Sequence, residues 1–582
     1  MRNIDLFLHI SKKSNNKLII LNNINNFKNY SKNFSFLYLN NYKIKKINNK
    51  KIFITGDLIN ENKIEDIEEK NLPQFLQTRK GHFYLIIYDE KKFTFYLISA
   101  LFNMLPLFYY ENNSSIIVTN KIKLIENIFK LNHKINKKYI VEQFIFNYPL
   151  FDSTIFKDIK LCPTNHYIHI AKGKINFIKH TDITSFYVDN PVDYKRAAKK
   201  LAPLFINNVK EYLPNNKFYI SFTGGFDGRT LVACAHFYRK DFVGFSFGTR
   251  KNDDVNIPLK QSEQLGIPFL PIFLDNENYV TREFLETGKE LIDLTNGFSN
   301  FLYVHFLYST KLLSGDSSVM LTGYFGSELF RALHLTGAMN SPELISFFRN
   351  KDKDRWINDI RNSSKISYMK REVIKNEIEQ IIYELDEYKK NNLDRFTTLN
   401  QFFYKYVFEE IFRKVFGSHI FAQSYYTNIR TPFLDFEFIK ELLKTELAGV
   451  NNEFFVQNPL KRWKGQLLYA KIINNTFPTL GEMITQKGYS PKDLLSSFGK
   501  LKIIFPFLEK RINRKIMKPY LDNLSIISGI KYHWPMFKSQ ITNSGFYNVY
   551  LLEELAENLD NLSEEKRDLV AISASSAMLY RR

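Results

Sequence analysis

Cysteine is nearly absent: Cys162 and Cys234 are the only two in 582 residues. They lie far apart and without a metal-ligand spacing. That excludes a disulfide-stapled scaffold and a cysteine zinc site, and leaves two buried thiols in a reducing compartment as the expectation. Apolar runs long enough to span a bilayer, about 18 uncharged residues, are missing too, so no membrane helix is predicted. The opening Met1-Arg2-Asn3-Ile4-Asp5 lacks the long apolar segment of a secretory signal, and a cytoplasmic protein is expected. Acidic residues are outnumbered, 60 Asp and Glu against 81 Lys and Arg, for a net charge of +21. Such an excess would suit nucleic acid or an anionic surface. Here lysine is scattered through a chain heavy in Asn, Ile, Phe and Tyr, with denser runs at 12–13, 43–51 and 195–200. This is the distribution of a compositional bias on a solvated surface, and a nucleic-acid partner is not expected.

One stretch organises what is present. Phe218 to Phe222 is a short apolar, β-prone run, Thr223-Gly224-Gly225-Phe226-Asp227-Gly228 is a tight polar turn, and Arg229 to Tyr238 reads as a helix. Strand, glycine turn and helix is the local architecture of a phosphate cradle, with a plain tight turn as the alternative: in a cradle, glycines let backbone N–H groups approach the oxygens, and the helix start adds free donors and partial positive charge. Asp227 stands where a carboxylate could hold magnesium against those oxygens. The spacing is neither the G-x-x-x-x-G-K-[ST] loop nor G-x-G-x-x-G. It resembles the pyrophosphate loop S-G-G-x-D-S of enzymes that split ATP between its α and β phosphates. Thr223 stands for the first serine, and Gly228 replaces the last. The resemblance implies nucleotide contacts from Ser221, Thr223, Gly224, Gly225, Phe226, Asp227, Gly228 and Arg229. Arg229 has two readings, a phosphate contact or a carboxylate partner.

Residues 1 to about 180 read as strand-rich, with apolar runs at 18–21, 51–54, 83–88, 93–98 and 116–118 and helical patterns at 121–131 and 140–147. Thr55-Gly56-Asp57-Leu58-Ile59-Asn60 resembles the N-G-E-I-Y-N stretch of class II glutamine amidotransferase domains. Gly81 to Asp89 resembles their G-x-F-A-x-x-x-x-D, Leu105 to Tyr110 their K-P-L-Y-Y, and Thr154 to Ile159 their T-x-F-x-x-I. The departures are chemical. That family uses an N-terminal cysteine as nucleophile, where this chain has Met1-Arg2. Its oxyanion Asn-Gly is Thr55-Gly56, and its D-R-x-G is Ala100-Leu101-Phe102-Asn103. Residues 1–185 are therefore expected to form a glutaminase-like αββα sandwich without glutaminase chemistry.

After a polar stretch, His180 to Pro191, the pattern changes. A helix at 197–213, the phosphate loop, a strand at Phe242 to Phe247 ending at Gly248, a helix to Leu265 and a strand near 269–273 predict a doubly wound parallel sheet. The remainder, from about 340, reads as mostly helical, including 370–388 and 401–416. Ser318 to Leu321 reads as another strand, running into Thr322-Gly323-Tyr324-Phe325-Gly326-Ser327-Glu328-Leu329-Phe330. That segment resembles S-G-E-G-A-D-E-L-F of asparagine synthetases. Arg430-Thr431-Pro432-Phe433-Leu434-Asp435 matches their R-V-P-F-L-D, and Gln486-Lys487-Gly488-Tyr489 their lysine before a glycine and an aromatic. Read without the resemblance, Arg430 to Asp435 is a proline turn whose Asp435 caps the next helix.

The resemblance implies an α/β two-domain protein: a degenerate glutamine amidotransferase-like domain at 1–185, and at 191–582 a synthetase domain of the adenine nucleotide α-hydrolase type with a helical end. It implies ATP and Mg2+, with Asp227 and Glu328 as metal ligands, because the family's second metal aspartate falls on Ser327. It implies Phe247, Gly248 and Gly323 beside the nucleotide, and Lys487, Tyr324 and Glu328 as catalytic; read without it, Tyr324 is a strand-end aromatic packed in the core, Lys487 a solvated lysine and Glu328 a partner of the loop's own N–H groups. Tyr324 falls where β-lactam-forming relatives have a tyrosine working with a glutamate. The expected activity is an AMP-forming amide ligase joining a small-molecule or peptide carboxylate to an amine or ammonia, with a homodimer as a possible assembly. A lactam- or peptide-cyclising synthetase, an RNA-modifying enzyme and a silent relative are the alternatives.

Overall fold

The computed structural model describes residues 4–12, 17–21, 34–60, 67, 71–129, 134–330, 337, 339–452, 464–496, 499, 502–503 and 524–579. The front of the chain supplies strands β1 (Leu6–Ser11), β2 (Leu18–Leu21), β3 (Ser35–Leu39), β4 (Tyr42–Ile47), β5 (Lys50–Gly56), β6 (Phe83–Asp89), β7 (Thr94–Ser99), β8 (Phe108–Glu111), β9 (Ser115–Thr119), β10 (Lys160–Leu161), β11 (His166–Ala171) and β12 (Lys174–Lys179). They form two six-stranded sheets, ordered β10-β8-β9-β1-β3-β2 and β12-β11-β7-β6-β5-β4. All pairings are antiparallel except β2 with β3. Central strands β1 and β6 are buried along their whole length, while β4 and β12, at the two edges of their sheet, turn lysines outward. Charge on an edge strand blocks further pairing.

A third, parallel sheet follows: β13 (Phe218–Ser221), β14 (Phe242–Gly248), β15 (Phe269–Phe273), β16 (Val319–Leu321) and β17 (Asn428–Arg430), in the order β15-β14-β13-β16-β17. The chain steps outward from β13 to β15 and then returns to the other side of β13. In open parallel sheets the crevice at such a reversal, above the carboxyl ends of the strands, is where ligands bind. The turn after β13 is the glycine loop, and the turn after β16 is Thr322 to Gly326.

Local chemistry sets the helices around this crevice. Asp193 caps Tyr194–Tyr212 by accepting from the Lys195 and Arg196 amides, and Ala197, Leu201, Phe205 and Val209 give it a buried stripe at four-residue spacing. Asn252 caps Asp253–Leu265, which stops at Gly266 with φ of +66°. Helix Lys464–Thr476 packs on both Tyr194–Tyr212 and Asp227–Phe237 and delivers residues 477–489 to the glycine loop.

The structure differs from the sequence reading in three places. The helix after the loop begins at Asp227, so Gly228 and Arg229 lie in its first turn. Residues 401–416 are one helix by pattern, but the chain is α-helical over Leu399–Tyr406 and π-helical over Val407–Phe416. Strand β17 lies inside the stretch read as helical. Among the described residues no helix is long and apolar enough to cross a membrane.

Candidate nucleotide site at the carboxyl ends of the parallel strands

The glycine loop is tightly built. A β-carbon on Gly228 would sit 2.0 Å from the Ser221 carbonyl oxygen, so no side chain fits there. The serine of the S-G-G-x-D-S pattern is therefore excluded by the path of this backbone. A β-carbon on Gly224 would meet the Asp253 carbonyl at 3.1 Å, which puts the start of helix Asp253–Leu265 against the loop. Phe226 is buried and faces Tyr469 and Tyr489, with ring centroids at 5.9 and 6.2 Å.

The second loop closes on Asp227 from the β16 side. A β-carbon on Gly323 would lie 2.8 Å from the Asp227 β-carbon, and one on Gly326 would lie 2.9 Å from its carboxyl carbon. The Ser327 hydroxyl donates to Asp227 Oδ2 at 2.8 Å. Phe325, standing where the resembled motif has its second glycine, keeps a left-handed φ of +70°. A bulky residue in that region costs on the order of 1–3 kcal/mol and persists where the surroundings enforce it; here Phe325 is fully buried against Phe412 and Phe416. Glu328 is half-buried on the short helix Gly326–Phe330, one residue beyond Ser327. Among the described residues no three His, Cys, Asp or Glu side chains converge as a metal cluster. Magnesium held by one or two carboxylates and substrate phosphates needs no such cluster. The Thr249 and Thr322 hydroxyls, just past the carboxyl ends of β14 and β16, are buried and have no hydrogen-bond partner among the described residues. Close glycines, a half-buried carboxylate and these hydroxyls fit a nucleotide with its metal.

Arg229 is fully buried and donates to the carbonyls of Gly225, Leu480, Met483 and Ile484. Neither a phosphate nor a carboxylate is needed to satisfy it: it ties the loop to 480–484. Burial pulls its guanidinium down to about 9, so it stays charged at neutral pH. Gln261 holds the same segment through the Ile484 carbonyl. The residue this strap lays on the loop is Gln486. Its amide N–H donates to the Gly224 carbonyl at 2.9 Å, and its side chain covers Gly224 and Gly225. Lys487 follows, half-buried. Gln486 carried no chemical signal beyond standing next to that lysine.

Tyr324 and Phe247 lie on either side of the loop. The Tyr324 hydroxyl donates to the Gln423 side-chain oxygen at 3.3 Å. Gln423 is a neutral amide whose N–H groups go to the Phe306 carbonyl and the Thr310 hydroxyl. Burial pushes the Tyr324 phenol well above its ordinary value. A partnering glutamate is not what this hydroxyl reaches.

The glutaminase-like motif residues also meet the rear of the chain. Gly56 has φ of +99°, and a β-carbon there would be 2.6 Å from the His82 carbonyl, so the turn requires glycine. The Thr55 hydroxyl is spent on the Asn40 carbonyl. Asp57 forms a two-point ion pair with Arg430, at 2.8 and 3.2 Å, and Arg430 also donates to the Tyr212 carbonyl. His82 bonds the Thr431 hydroxyl at 3.0 Å, and burial lowers its pKa to about 4. Asp435 caps the helix Phe436–Leu442, as the turn reading anticipates. Both cysteines are buried, and burial raises the Cys162 thiol to about 12.

No curated protein matches the chain. A family model described as a glutamine amidotransferase domain matches residues 64–181, which hold β6 to β12, so the front of this chain contains a glutamine amidotransferase-type domain.

Proposed function

We propose that residues 191–582 form an ATP-dependent, AMP-forming amide ligase and that residues 1–185 are its glutaminase-like companion without glutaminase chemistry. The observation that carries this reading is the position of Asp227. It sits beside two glycine-bearing turns, at the strand-order reversal of a parallel sheet, with Gly323, Gly326 and Ser327 closed around it. Thr223 and Gly224 present backbone N–H groups to the phosphates, the Gly225 N–H can leave the Thr223 hydroxyl that it reaches at 3.4 Å to join them, and the Gln486 side chain covers Gly224 and Gly225. Asp227, with Glu328 close in sequence to Ser327, would hold Mg2+, which when bound offsets charge on the departing pyrophosphate. A substrate carboxylate oxygen attacks the α-phosphorus and the bond to pyrophosphate breaks. An amine nitrogen then attacks the acyl carbon, AMP leaves and the nitrogen gives up a proton. Lys487 supplies positive charge to the phosphates during both steps. Tyr324 acts as a hydrogen-bonding, positioning group, since its raised pKa and its amide partner suit it poorly to proton abstraction.

The nitrogen comes from ammonia or a substrate amine. The carboxylate of the glutaminase motif, Asp57, is neutralised by Arg430, and the buried thiols are poor nucleophiles. The test is carboxylate-dependent ATP–pyrophosphate exchange, followed by amide and AMP formation with ammonium or amines in place of glutamine. Exchange with no glutamate released from glutamine is expected. Steady glutamate release would contradict the second half of the reading, and absence of exchange across a broad carboxylate panel the first.

A further inference from the structure

Six half-buried aromatic side chains meet beside the candidate nucleotide site. Phe247, at the end of β14, touches His305 and Phe306 with centroids at 5.1 and 5.4 Å. Phe306 continues edge-on to Tyr324, just past the end of β16, at 5.7 Å, and Tyr324 to Phe416 at 5.7 Å. Tyr303 joins through Phe306 at 6.4 Å. Strands β14 and β16 flank β13, so this line of rings bridges the crevice next to the glycine loop. Each of the six is partly open to solvent, and His419 stacks on Phe306 from beneath with its Nε2 buried and unpartnered among the described residues.

No charged side chain takes part in these ring contacts. His305 and His419 are neutral at pH 7, because burial lowers them to about 4 and about 3. The nearby Arg430 is committed to Asp57 and the Tyr212 carbonyl. A surface of ring faces and edges favours a flat apolar group, and its neutral members offer no cationic partner to a second carboxylate.

We infer that this aromatic surface holds the ring-bearing side chain of the carboxylate substrate, which is therefore an aromatic carboxylic acid rather than a small charged amino acid. The inference rests on the ligase reading above. Its position supports the assignment: Tyr324 borders Asp227 through Gly323, so a ring on Phe306 can carry its carboxyl group toward the phosphates.

Calorimetry on the full chain separates the two claims. Mg2+ with α,β-methylene-ATP is titrated first, then 3-phenylpropionate or aspartate into the nucleotide-loaded protein. Nucleotide binding, with phenylpropionate bound and aspartate not, is expected. Phe306→Ala should weaken phenylpropionate about tenfold or more while leaving nucleotide affinity within twofold. Phe306→Leu, which keeps apolar volume, guards against a folding defect and should show a smaller loss in the same direction. Nucleotide binding with no preference for phenylpropionate, or unchanged phenylpropionate affinity in both variants, overturns this inference alone. Loss of nucleotide affinity in the variants would make the surface an adenine platform and overturns it too. No nucleotide binding by the wild-type chain overturns the ligase reading and this inference together.

Discussion

The Ser327 hydroxyl donates a 2.8 Å hydrogen bond to Asp227, across 100 residues of sequence. It joins the glycine loop to the turn after β16, and it stands where the resembled motif carries a second aspartate. Ser327→Asp would set two carboxylates against each other with little room, since Gly326 already lies against the Asp227 carboxyl group. The variant should lose thermal stability without metal, by roughly 1–3 kcal/mol for an unfavourable charge in a packed site. Mg2+ with ATP should restore it. Thermal unfolding with and without Mg2+ and ATP reads this directly; equal stability in both conditions would argue against metal at this pair.

Gly228 should not accept the motif's serine. An added β-carbon would lie 2.0 Å from the Ser221 carbonyl oxygen, 3.0 Å from its carbon and 3.2 Å from the Phe222 α-carbon, all of them backbone. Gly228→Ser should destabilise the protein by about 1–3 kcal/mol or more, the range for overpacking. Urea unfolding of Gly228→Ser beside Thr223→Ser, which should be near neutral, checks the point.

Asp57 and Arg430 are nearly buried, with side chains 10% and 12% exposed, and 373 residues apart. Removing one partner leaves an unpaired charge, so Asp57→Asn and Arg430→Met should each cost about 3–5 kcal/mol. The double variant should recover part of that loss. A double-mutant cycle in urea measures the coupling, and additive losses would show the pair to be independent.

Acid should weaken the fold through its buried histidines. His82 sits at about 4 in the folded chain against 6.5 when unfolded. Above 6.5 both states are neutral and pH has no effect through this group. Below 6.5 the unfolded chain binds the proton first, so stability falls as pH drops toward 4, by an amount on the order of 3 kcal/mol for this residue. His305 acts in the same direction and window, and His419, at about 3, extends the decline further into acid. His82→Gln should flatten the decline between pH 6.5 and 4; an unchanged slope would show that His82 does not set it.

The two loops were legible because glycine turns after short β-branched or aromatic runs are local signals, and the structure has β13, β15 and β16 within a residue of where those runs lie. The pattern starts the helix at Arg229 because Gly228 groups with the glycine turn by composition, whereas it stands in the first helical turn for a close approach to Ser221. Strand β17 is three residues long and takes its identity from pairing with β16, which no local pattern reveals. The same holds for Gln486 over the loop, for Arg229 as a strut and for Asp57 with Arg430, all contacts across hundreds of residues. The resemblance gives Tyr324 a glutamate partner, and only its packing reveals Gln423 in that place.

The most direct measurement is ATP–pyrophosphate exchange by Asp227→Asn. The substitution keeps shape and removes charge at the one carboxylate enclosed by both loops. With a carboxylate that supports exchange in the wild-type chain, the variant should lose about 10² to 10³-fold in rate, the range for removing one strong electrostatic stabiliser, while its unfolding temperature stays near wild type. Exchange at near wild-type rate in a folded Asp227→Asn protein would contradict a pyrophosphate cradle at this loop.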